Sequence, residues 1–95
     1  MELNDKGLEL VKQYVRDRDA ATIAVVEGES LDVFKAFVSK WHDLGFYPPC
    51  FKLPSDEVLE ISIRKMAIHE IAAPDNIKQK AARWLLERGY DLLID

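Results

Sequence analysis

The sequence predicts an all-α fold, a bundle of four or five short helices forming one domain over residues 1–95. Three observations lead there. Apolar residues recur at three- and four-residue spacing through most of the chain. Cap and stop residues (Ser30, Gly28, Gly45, Ser55, Gly89) punctuate those stretches. And 48% hydrophobic with 32% charged residues is ordinary globular composition, able to fill one core. An α+β fold is the alternative, with a small sheet drawn from residues 22–26, 58–64 and 90–94.

The first segment, Asp5 to Arg18, places Leu8, Val11 and Val15 beside Leu10 and Tyr14 as one wide apolar face. Asn4 or Asp5 supplies its N-terminal cap. Asp19 then opens a separate two-turn helix, Ala20 to Glu27, which Gly28 ends. Its alanines favour helix, whereas Thr22-Ile23-Ala24-Val25-Val26 carries enough β-branching for a buried strand.

Ser30 stands at the N-cap of the clearest helix, Leu31 to Leu44, with Asp32 at the positive end of the dipole. Leu31, Phe34, Phe37, Val38 and Trp41 share one arc, and Gly45 is the expected left-handed terminator. Three prolines between Pro48 and Pro54 then force an extended loop.

Ser55 caps the next helix, Asp56 to Ile71, whose apolar residues spread almost round the wheel. Glu57, Glu60 and Arg64 are expected to form its solvent stripe, with Glu60/Arg64 as an i,i+4 pair. The strand reading, Leu59, Ile61 and Ile63 in alternation, is weaker because the apolar pattern continues past Met66. Pro74 or Asp75 opens the last helix, with Ile77, Ala81, Trp84 and Leu85 inward and Lys80, Arg83 and Glu87 outward. Gly89 ends it. The tail from Tyr90 carries Leu92, Leu93 and Ile94, which dock on the core or add a strand.

A mass of 10.9 kDa implies a folded surface of roughly 5,600 Å², so about two-thirds of the unfolded chain's surface can be buried. Net charge is −4, and no segment is strongly basic, which disfavours nucleic acid and anionic membranes as partners. No apolar run is long enough for a bilayer span. The single cysteine, Cys50, and the absence of a leader at the N-terminus lead to the expectation of a cytoplasmic protein.

Candidate chemistry is sparse. Cys50, His42 and His69 are the only soft ligands. They lack the close pair a zinc site needs, so no metal is expected. A Cys/His nucleophile requires the fold to join Cys50 to a histidine. Ser62-Ile63-Arg64-Lys65 has the Ser-x-x-Lys spacing of penicillin-recognising serine enzymes, with His69 on the same stripe. Their Ser-Asp-Asn and Lys-Thr-Gly motifs are missing. The carboxylate pairs Asp17/Asp19, Glu27/Glu29 and Glu57/Glu60 read as solvated surface. No glycine-rich phosphate loop occurs, so no cofactor is expected.

Two surfaces remain. Phe46, Tyr47, Pro48, Pro49 and Phe51 form a rigid aromatic loop suited to partner recognition, or equally to covering the core. Lys78, Lys80 and Arg83, on the C-terminal helical hairpin, could meet nucleic acid phosphates, though Asp75 and Glu87 dilute that face. The favoured expectation is a non-enzymatic interaction or regulatory protein with an unspecified protein partner. If the all-round apolar helix from Asp56 to Ile71 is not covered within one chain, a second copy is the expected cover, as a homodimer. Nucleic-acid binding through the hairpin is the alternative, and a small enzyme with a Cys/His or Ser/Lys site the second.

Overall fold

A computed structural model describes residues 5–28 and 30–92. Four α-helices follow in order, α1 Asp5–Val26, α2 Asp32–Asp43, α3 Asp56–His69 and α4 Asp75–Glu87, and the described residues include no strand. The bundle prediction holds in its four-helix form, and the small-sheet alternative does not. Residues 22–26 and 58–64 are helical, while Asn4, Glu29, Leu93 and Ile94 lie outside the described residues.

The fifth helix is lost because α1 runs straight through Asp19. No glycine or proline interrupts the chain between Gly7 and Gly28, so nothing stops propagation there. The Asp19 carboxylate accepts from the Arg18 guanidinium at 3.3 Å instead of capping a new helix. The Thr22 hydroxyl donates back to the Arg18 carbonyl at 2.7 Å, which satisfies it inside the helix. Thr22 and Val25 are then fully buried, and that burial overrides the β-leaning of the segment.

α2 begins one residue later than expected, with Leu31 rather than Ser30 at the N-cap position. The Ser30 hydroxyl accepts from the Asp32 N–H at 3.2 Å, and Phe34, Phe37, Val38 and Trp41 are all buried. Its end is glycine-terminated: Gly45 sits at φ 84°, which lets the Phe46 N–H reach back to the Trp41 carbonyl at 2.9 Å. The same device closes α4, where Gly89 at φ 79° lets the Tyr90 N–H bond the Leu85 carbonyl at 2.9 Å.

α3 is capped by the Ser55 hydroxyl, which accepts from the Val58 N–H at 3.4 Å. Its buried side is Leu59, Ile63 and Ala67, one residue per turn, continued by Ile71 beyond the helix end at His69. The expected solvent stripe is corrected at one position. Arg64 is buried, 6% exposed, while Val58 on the opposite side is 49% exposed. The reason lies across the interface, where Trp84 of α4 offers a ring face to the guanidinium at 4.3 Å.

α1 is the spine. It packs against α2, α3 and α4, and α3 pairs with α4. The core runs from Ala21 and Val25 through Phe34, Phe37, Val38 and Trp41 to Leu59 and Ile63, with Ile77, Ala81 and Leu85 beneath α4. At about 1.5 Å per residue, the 22 residues of α1 span about 33 Å, against roughly 20 Å for each of the other three. The molecule is drawn out accordingly, 44 × 28 × 25 Å, with a radius of gyration of 14.3 Å where about 12 Å is usual for this length.

Candidate interaction surface

The length mismatch of α1 decides which of its residues meet solvent. Near its C-terminal end the helix is wrapped by α2 on one side and by the α3–α4 hairpin on the other, and Ala21, Thr22 and Val25 are buried there. Towards the N-terminus only one side stays covered. Leu10 and Tyr14 are half-buried, packed against the core cluster. Leu8, Val11 and Val15, spaced i, i+3 and i+7 on a neighbouring stripe, remain 43%, 37% and 38% exposed. The single wide apolar face read from the sequence is therefore split in two. One half is core; the other is a bare stripe beside Lys12 and Arg16, which with Val11 and Val15 line a shallow hollow of about 380 Å³.

A second apolar depression lies between α1 and α2. Ala20, Ala24 and Ala36 leave room there beside Val33 and Phe37, and the groove encloses about 470 Å³. Its rim is polar: Asp17 accepts from the Lys40 ammonium at 3.0 Å and from the Trp41 indole N–H at 3.1 Å. The Lys40 bond is the main reason the Asp17 carboxyl titrates below its ordinary range, with Trp41 adding to it.

The proline loop spends most of its aromatic surface inward. Phe46 stacks on Tyr14 at 5.3 Å between centroids and meets Trp41 edge-on at 4.7 Å. Tyr47 shares a hydroxyl–hydroxyl bond of 3.0 Å with Tyr14, and Phe51 stacks on Tyr47 at 4.7 Å. Burial, helped by the Tyr14 hydroxyl, pushes the Tyr47 phenol well above its ordinary range. Pro48, Pro49 and Cys50 are exposed, and Phe51 is 37% exposed. The loop thus braces α1 against α2, with Pro48 to Phe51 as its outer edge.

On α4, Lys80 and Arg83 are exposed on one side. Lys78 is half-buried and sits two residues, or about 200° of helical turn, from Lys80. The three cations therefore do not form one face. Cys50 and His69 are exposed and His42 is half-buried, and no group of three or more His, Cys, Asp or Glu side chains among the described residues is placed to hold a metal ion. Ser62 and Lys65 line a shallow hollow with Met66 and Glu70, while the His69 ring bonds the Leu92 carbonyl.

Comparison with known protein families, curated proteins and solved structures returns no match. The surface must be read from its own chemistry. Among the described residues, no helix is long and apolar enough to cross a membrane. The bare stripe of α1 went unseen in the sequence because the helix was divided at Asp19. The signal that could have found it is length, since an uninterrupted helix longer than its neighbours must leave one end partly uncovered.

One cluster, built around the buried Arg64, also escaped the sequence reading. The Trp84 ring meets two guanidinium groups, Arg64 at 4.3 Å and Arg88 at 4.1 Å. Arg64 donates to the Glu60 carbonyl at 3.3 Å and the Val25 carbonyl at 3.5 Å, and pairs with the Glu60 carboxylate at 3.4 Å. Its Nε has no partner. Desolvation lowers the Arg64 pKa, partly countered by Glu60. Tyr90 stacks beyond Trp84 and its hydroxyl reaches the Glu57 carboxylate at 3.4 Å, which ties the start of the tail to α3.

Proposed function

We propose that this protein is a non-enzymatic interaction or regulatory protein whose contact surface is the bare stripe of α1. One observation carries the reading: Leu8, Val11 and Val15 stand exposed along one side of a helix whose C-terminal half buries Ala21, Thr22 and Val25 in the core. An aligned apolar stripe on a rigid helix is the form in which helix-mediated contacts are made. The α1–α2 groove, with its alanine floor and its Asp17–Lys40 rim, extends the apolar surface on another side of the same helix.

We read the protein as cytoplasmic, a reading supported by its single, exposed cysteine, Cys50, which suits a reducing compartment. Lys78 is turned away from Lys80 and Arg83, so the cations of α4 do not share one face.

The test is stripe-dependent complex formation. Wild-type protein, Val11→Asp and Leu8→Ser are each cross-linked in native extract and at high purified concentration, with helicity checked by circular dichroism. A stoichiometric complex, with itself or with another protein, that both substitutions abolish supports the reading. A strictly monomeric protein with no stripe-dependent complex defeats it.

A further inference from the structure

We draw no further inference here: the strongest candidate, the apolar groove between α1 and α2 beside Ala20, Ala24 and Ala36, carries none, because its rim charges Asp17 and Lys40 pair with each other and nothing in the structure shows what covers it.

Discussion

Arg64 gives the sharpest test of how the α3–α4 interface is held together. Arg64 is 6% exposed, so its charge has lost most of its water. In return it has contacts of 3.3 to 3.5 Å to Glu60 and Val25, all at the long end of the hydrogen-bond range, and an Nε with no partner. An unsatisfied buried donor costs about 1–3 kcal/mol. The stack on Trp84 returns about 1–2 kcal/mol, and the long bonds little more than 1 kcal/mol together. The charge itself is close to neutral in stability, whereas the aliphatic stem fills space that nothing else fills.

Arg64→Met keeps most of that volume, removes the orphan donor and places a thioether against the indole, so stability should stay within about 1 kcal/mol of wild type or rise. Arg64→Ala removes the stem as well and should cost about 2–4 kcal/mol, as other large-to-small core changes do. For a domain of this size that separates the two melting temperatures by about 10 °C or more. Thermal and urea unfolding followed by circular dichroism would measure both. If Arg64→Met proves as damaging as Arg64→Ala, the ion is a net stabiliser and the argument is wrong.

Other consequences are directly measurable. Tyr47 is held neutral by burial and Tyr14, so it should ionise only above the ordinary phenol range in an absorbance titration. Its contribution to stability is fully present below the unfolded phenol pKa of about 10 and is lost as pH rises above that value. Gly45→Ala meets no steric obstacle but must adopt φ 84°, so it should cost about 1–2 kcal/mol in urea unfolding, with Gly45→Asn costing less. Asp17, whose pKa is depressed chiefly by Lys40, contributes stability above the unfolded carboxylate pKa and loses it as pH falls through the folded value. Because its side chain is 40% exposed, solvent keeps the effect below about 1 kcal/mol, and Asp17→Asn should flatten that part of the acid limb.

The sequence was most informative where one residue type serves one backbone need. Gly28, Gly45 and Gly89 all stop helices at positive φ, and the hydroxyls of Ser30 and Ser55 both accept from a backbone N–H at a helix start. Periodicity likewise picked out the buried arc of α2 and the inward residues Ile77, Ala81 and Leu85 of α4. It failed where the outcome depends on a partner element. Arg64 looks like a solvated charge four residues from Glu60 until Trp84 is set opposite it. Leu8, Val11 and Val15 look like core until the other three helices prove too short to reach them. The aromatic loop was ambiguous for the same reason, since only Tyr14, thirty-three residues away, shows which way Tyr47 turns.

The two tryptophans divide the bundle between them. Trp41 is sealed among α1, α2 and the loop, and Trp84 lies against Arg64 and Arg88 where α3 and α4 meet. Excited indoles sense the polarity and charge beside them, so single-tryptophan variants would emit from two separate environments. Coincident loss of both signals on heating would mark one cooperative melt; a gap between them would show that one lobe of the molecule loosens while the other still stands.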